Sequence, residues 1–314
     1  MAIRTGLKHT FALAAALLAL ALPAAAQQQN HKVGIVTGGV GGTYVVFGSD
    51  IAKALDSPAM RVLPMLGKGS RQNIQDLLEL DGVDFAIVQT DVLQAIDEAE
   101  YPDARQAIHY VTKLYNEEVH VLARAGITDV HQLQDKFVAV GGIGSGTEMT
   151  ANLLFRDMGI SVEQVNDGGK AALDELLDPN GLLDAMIYVA GKPASLFESI
   201  PPDSGLNFAA MNYQLGRDRP YFDAALTSAD YPNLVPAGTE VRTVSVGALL
   251  TVFNWQKDTP QSLAVGEFTK AFFDALPVLK SGSYHPKWGE TNLYEEVPGW
   301  TRAAPAAEYI AHSN

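Results

Sequence analysis

Residues 33–48 read VGIVTGGVGGTYVVFG: an apolar run, a cluster of glycines, a small hydroxyl residue, then a helix-forming stretch. The same turn recurs at 66–73, LGKGSRQN, and at 140–149, VGGIGSGTEM. A strand that ends in glycine and feeds a helix is the repeating unit of an α/β fold. A helix start leaves backbone N–H groups unpartnered and carries partial positive charge, which suits a carboxylate or phosphate. Three such turns in one chain point several helix N-termini at one small anion. Glycine at each lets the backbone approach a ligand, and Thr43, Ser70, Ser145 and Thr147 add uncharged donors. Those hydroxyls either cap their helices or face the ligand.

Outward from these turns, strand and helix alternate. Val33–Val36 reads as a strand, Tyr44–Leu55 as a helix, Arg61–Met65 as a strand, Arg71–Leu80 as a helix and Phe85–Val88 as a buried strand. Asp91 opens a further helix. A second unit begins near Val119, with strands at Val119–Ala123, Phe137–Val140 and Ala185–Val189 and helices at Glu148–Met158 and Lys170–Leu177. Residues 203–236 read as loop, Val241–Phe253 as a long return strand and Gln261–Leu279 as an amphipathic helix. The tail from Ser281 reads as irregular, with Trp288 and Trp300 packing on the body. The expected architecture is α/β with two lobes, each a mainly parallel sheet flanked by helices, and a ligand cleft between them. Residues 30–115 and 235–314 form one lobe and 116–234 the other.

Residues 1–26 stand apart. Arg4 and Lys8 precede the apolar stretch Phe11–Leu22, and Ala24–Ala26 supplies small residues for cleavage, so the segment reads as a signal peptide and the mature chain as exported to the periplasm. The apolar run is shorter than the ~20 residues of a membrane span. No cysteine is present, which excludes disulfides, thiolate metal sites and a lipid-anchored export cysteine. Removal of Arg4 and Lys8 leaves 20 of the 22 basic residues against 36 acidic ones, a formal charge of −16. Such a surface argues against nucleic acid and anionic lipid as partners.

Catalytic motifs fail one by one. A GxSxG elbow needs glycine where Ile143 and Thr147 stand, and neither a GxxxxGK[ST] loop nor HExxH occurs. The run at Gly38–Gly42 lacks the spacing of a dinucleotide fingerprint. Glu117 and His120 face opposite sides of a strand, and the pairs Glu117/Glu118 and Glu295/Glu296 read as solvated. Neither enzyme activity, cofactor nor metal is expected.

At these same residues the sequence resembles the TAXI family, the solute receptors of one class of TRAP transporter. The matching stretches are TGGVGGTYVVFGSDIAKAL (37–55), GSRQNIQDLLELDGVDFAIVQTDVL (69–93), KLYNEEVHVLARAGI (113–127), VAVGGIGSGTEMTANLL (138–154) and DAMIYVAGKPA (184–194). They occur in the family's order, and Thr243–Val252 is similar to its later strand. The resemblance implies a two-lobed periplasmic receptor with a type II-like binding-protein fold. It implies a ligand that is a small organic anion, a carboxylate or dicarboxylate of the glutamate or 2-oxoglutarate kind, delivered to a TRAP-type membrane permease. Carried over residue by residue, the family's binding positions are Gly42, Thr43 and Tyr44, then Gly69, Ser70 and Asn73, then Gln89. In the second lobe they are Gly144, Ser145, Gly146 and Thr147, with Ala190 and Gly191. Tyr44 either covers one face of the ligand or packs on the sheet.

The chain departs from the family at Lys68 and Arg71, where members usually carry a small or glycine-only stretch. These cations either meet a second carboxylate, which would favour a dicarboxylate, or point to water. Three other readings share parts of the pattern: the receptor of an ATP-driven importer, a ligand sensor for a membrane kinase, and a secreted hydrolase. The last requires a nucleophile–base pair that no motif supplies.

Overall fold

A computed structural model describes residues 31–99, 101–216 and 220–313. The signal-peptide reading for residues 1–26 lies outside the described residues. The chain runs β1 (His31–Val36), α1 (Thr43–Leu55), β2 (Met60–Met65), α2 (Ser70–Glu79), β3 (Phe85–Gln89), α3 (Thr90–Ala99), α4 (Ala104–Ala107) and β4 (Ile108–Arg124). It continues through β5 (Phe137–Ala139), α5 (Gly146–Met158), β6 (Glu163–Val165), α6 (Gly169–Leu177), β7 (Ala185–Ala190), α7 (Ser195–Glu198), β8 (Leu206–Phe208) and β9 (Tyr221–Thr227). β10 (Glu240–Phe253), α8 (Pro260–Leu279) and α9 (Ala304–His312) complete it.

Two parallel sets, β2-β1-β3 and β6-β5-β7, form the cores of the two lobes, as the alternating pattern predicts. They are joined by β4 and β10, which pair antiparallel with each other, with β10 also beside β3 and β4 beside β7. Hydrogen bonding therefore runs through one path, β2-β1-β3-β10-β4-β7-β5-β6, rather than through two separate sheets. The strand expected to begin near Val119 begins eleven residues earlier, at Ile108, and spans 17 residues. It has no polar–apolar alternation to read because nearly every residue along it is buried.

The apolar core divides with the lobes. One half packs Ile35, Phe47, Phe85, Tyr115, Phe268, Phe272 and Trp288 on one face of its sheet and Ile74, Val88, Leu93 and Leu249 on the other. The second half packs Val121, Leu154, Ile187 and Val246 on one face and Leu122, Leu176, Phe197 and Tyr231 on the other. β10 crosses between them: Val244 and Val246 belong to the second half, Ala248 and Leu250 to the first.

Three sequence expectations need correction. Strand β9 lies inside the stretch read as loop, and pairs along β10 from Glu240↔Thr227 to Val246↔Tyr221. The tail is not irregular throughout, since α9 forms behind Pro305 and packs Ala306 into the core. The amphipathic pattern of α8 groups Leu263 with Phe268, Phe272, Leu276 and Leu279 on one apolar face, but Leu263 is 58% exposed. Trp288 does pack on the body, fully buried against Phe47 with its indole N–H donating to Asp50 at 2.8 Å. Trp300 lies under Arg105, 4.9 Å from ring centre to guanidinium.

Candidate functional site

A cavity of about 580 Å³ lies between the lobes, at the carboxyl ends of the parallel strands. Helices α1, α2, α5 and α6 all start at its wall. Three of these starts are the glycine turns read from sequence. The fourth, Asp167–Gly168–Gly169–Lys170 before α6, was missed, although its paired glycines carry the same signal without a hydroxyl residue. Among these helices only α5 has a side-chain cap, Ser145 Oγ accepting from the Glu148 N–H at 3.1 Å. The first-turn amides of α1, α2 and α6 have no such cap, which leaves partial positive charge at the cavity wall.

The lobes meet around this cavity. The Gln72 N–H donates to the Gly144 carbonyl at 3.1 Å, and the Gly191 N–H donates to Thr43 Oγ1 at 3.2 Å. Gln89 Nε2 donates to Thr150 Oγ1 at 2.9 Å, and the Thr150 hydroxyl donates to Asp91 Oδ2 at 2.7 Å. Tyr221 donates to the same oxygen at 3.0 Å. Gly69 adopts φ +119°, and a Cβ there would stand 3.0 Å from the Gly146 nitrogen. Glycine is required at that point both for the backbone angle and for the approach of α5. These contacts describe a closed cleft.

Eleven of the fifteen positions named from sequence line the cavity: Gly42, Thr43, Tyr44, Lys68, Gly69, Ser70, Gln89, Ser145, Gly146, Thr147 and Ala190. Arg71, Asn73, Gly144 and Gly191 are not among the lining residues, and each has a structural position instead. Asn73 is fully buried with Nδ2 donating to the Ile87 carbonyl at 2.8 Å, while Gly144 and Gly191 supply the backbone contacts between lobes. Arg71 is half-buried on α2, and Lys68 stands exposed at the cavity rim. Each turn hydroxyl has a partner within the protein, and only that of Ser70 is seen to donate. Ser70 Oγ donates to Gln89 Oε1 at 2.8 Å, and Thr147 Oγ1 accepts from the Val189 N–H at 3.2 Å.

The largest departure concerns the carboxylates read as solvated. Glu117 and Glu118 are 3% and 4% exposed, because β4 is central and both its neighbours cover it. Glu118 accepts from Lys287 Nζ at 2.7 Å and from the Lys192 N–H at 2.9 Å, so the C-terminal segment is tied to the crossing strand. Glu117 lines the cavity. Its Oε2 accepts from the Tyr44 hydroxyl at 2.8 Å, and Oε1 lies 3.5 Å from that of Tyr115. Burial pushes its pKa from 4.5 up to about 8. Tyr44 is thus both a sheet-packed residue and a cavity wall, held by Glu117 and by Ser70 at 3.2 Å. Tyr188 also lines the cavity, and sequence reading placed neither it nor Glu117 in the site.

His120, on the opposite side of β4 from Glu117, is buried among Phe197, Phe208 and Tyr231 with Nε2 2.7 Å from the Tyr231 hydroxyl. Burial lowers its pKa to about 4, so it is a neutral core histidine. Among the described residues no cluster of three or more His, Asp or Glu side chains is arranged to hold a metal ion. Nor is any helix among them long and apolar enough to cross a membrane.

The architecture is similar to that of the periplasmic binding protein BugD, at 16% identity and a TM-score of 0.50, covering 82% of this chain and 85% of that one. It is similar also to a periplasmic transporter, at 15% identity and a TM-score of 0.51, covering 80% and 84%. At this identity the likeness is one of fold, a two-lobed α/β binding-protein architecture. Residues 35–299, most of the chain, match the NMT1-like family, with the glycine turns, the crossing strands and the cavity all inside the matched span. A two-lobed protein with a small-molecule cleft at its strand ends, this chain belongs to the NMT1-like family.

Proposed function

We propose that the protein is an exported solute receptor of the TAXI kind, which closes on a small carboxylate or dicarboxylate and presents it to a TRAP-type membrane permease. The observation that carries this reading is the convergence of four helix N-termini from both lobes on one cavity, three of them without side-chain caps. A carboxylate there accepts hydrogen bonds from helix-start N–H groups that no side chain of the protein caps. The cavity suits a ligand of metabolite size. A binding role rather than catalysis is supported by the hydroxyls lining the cavity, which bond to Gln89 or to backbone N–H groups. Among the described residues no histidine lines that cavity to activate them.

Lys68 and Lys170 at the rim offer charge to a second carboxylate. Arg71 does not line the cavity, so the case for a dicarboxylate rests on the two lysines. The test is a thermal-shift panel of mono- and dicarboxylates, amino acids and sugars on the mature protein. A ligand at 100 times its dissociation constant stabilises by ~2.7 kcal/mol. Absence of a shift with every acid refutes the receptor reading. Reconstitution of uptake with a TRAP-type permease, rather than an ATP-driven one, tests the delivery partner.

A further inference from the structure

Glu117 is an unusual group to find in a cavity whose other features favour anions. It sits on the cavity wall, and among the described residues no basic side chain bonds to it. Lys287, whose charge acts on it from a distance, is bonded to Glu118 and Glu290, each at 2.7 Å. Lys68 and Lys170 stand exposed at the rim, and Lys170 pairs with Asp174. The other groups facing Glu117 worsen its position or are neutral. Asp91 on α3 and Glu118 on β4 repel its charge, while Tyr44, Tyr115 and Tyr188 surround it with phenols. A carboxylate has about four acceptor sites, and Tyr44 and Tyr115 account for two. Acceptor capacity is left facing the ligand, with no cation beside it to hold the ionised form.

A ligand that is purely anionic opposes ionisation of Glu117 and gives it no counter-ion. A ligand with an ammonium group supplies the missing counter-ion, while its carboxylate reaches the helix starts. We propose that Glu117 is a specificity-determining residue that selects amino carboxylates over their 2-oxo and 2-hydroxy analogues by pairing with the ligand's ammonium group. This deepens the receptor reading and rests on it. The pairing also moves a proton. Glu117 is held largely protonated in the unliganded protein at neutral pH by its burial, and the ammonium stabilises the ionised form, so the carboxyl proton passes to solvent on binding.

The experiment titrates the mature protein with two matched triads by calorimetry at pH 7: L-glutamate, 2-oxoglutarate and L-2-hydroxyglutarate, and L-alanine, pyruvate and L-lactate. Each titration is run in phosphate and in Tris, with wild type, Glu117→Gln and Glu117→Asp. Within the triad that binds, the amino form is expected to bind at least tenfold more tightly in the wild type. Its heat should differ between buffers as a released proton is taken up. Glu117→Gln, which keeps the Tyr44 bond, should lose both the preference and the buffer dependence, and Glu117→Asp should retain part of each. Equal binding of amino and oxo acids, or a preference for the oxo acid, overturns the assignment of Glu117 while leaving the receptor reading intact. Binding of none of the six overturns both. If Glu117→Gln does not fold, the wild-type ranking and its buffer dependence decide the question alone.

Discussion

Gly146→Ala separates closure from folding. Gly146 opens α5 after the cap Ser145, and its backbone takes no unusual angle. Alanine there is locally favourable, by about 0.5–1 kcal/mol for a helical position. In the closed cleft, however, the added Cβ would lie 1.5 Å from Gln89 Oε1 and 2.8 Å from Ser70 Oγ. Gln89 must leave its place, and with it go the bonds to Ser70 at 2.8 Å and Thr150 at 2.9 Å. Two neutral hydrogen bonds at about 0.5–1.5 kcal/mol each give a loss of about 1–3 kcal/mol. That loss falls on the closed form alone, because Gln89 and Gly146 come from opposite lobes. At about 1.4 kcal/mol per decade, affinity for the tightest-binding acid of the panel should drop roughly five- to 150-fold. The melting temperature of the unliganded protein should stay level or rise, and small-angle scattering with ligand present should show a more open molecule. Calorimetric affinity and thermal denaturation read the two effects separately. Unchanged affinity together with a lower melting temperature would refute the reasoning, since Gly146 would then be a packing residue and not a closure contact.

Lys287→Met leaves Glu118 buried without its cation and should destabilise by about 3–5 kcal/mol in urea unfolding. Adding Glu118→Gln should recover more than half of that loss. Glu117→Gln should make stability less dependent on pH. Between 4.5 and about 8 the unfolded chain releases this proton while the folded chain keeps it, so wild-type stability falls as pH rises through that window. The variant, having no proton to lose, should be the more stable form above pH 8, by up to about 5 kcal/mol, with no advantage at pH 4. Ser145→Ala removes the cap of α5 and should cost about 1 kcal/mol, read by thermal denaturation without ligand.

The glycine turns were legible because their chemistry is local. A strand end, a glycine and a hydroxyl residue fall within ten residues, and the parallel sets β2-β1-β3 and β6-β5-β7 follow from the pattern around them. What escaped reading depends on partners far along the chain. Glu117 and Glu118 look solvated because two adjacent carboxylates usually are. Only their position on a strand covered by β10 and β7 buries them, and the cation for Glu118 arrives 169 residues later. The first half of β4 shows no period because it has no solvent face. β9 was hidden among proline and aspartate, since its pairing is set by β10 and not by its own composition. Arg71 and Lys68 show the opposite limit: three residues apart, they look alike in sequence, yet α2 leaves one at the cavity rim and not the other.

Where β10 meets β4, the register slips twice, between Ala248 and Leu249 and again between Leu250 and Thr251, so that Leu114 and Val111 of β4 have no counterpart across the ladder. Such slips bend a strand and loosen it locally. They stand on the first-lobe side of the crossing, the nearer one directly beside Ala248, where β10 has just left the second lobe. Glu117 lies three residues beyond the first unmatched residue, on the same strand and paired with Val246. The flexing element and the ligand-reading carboxylate are therefore one stretch of backbone. A substitution that stiffens or slackens this joint will also re-aim Glu117, so changes in how readily the cleft shuts and in which solute it favours will be inherited together.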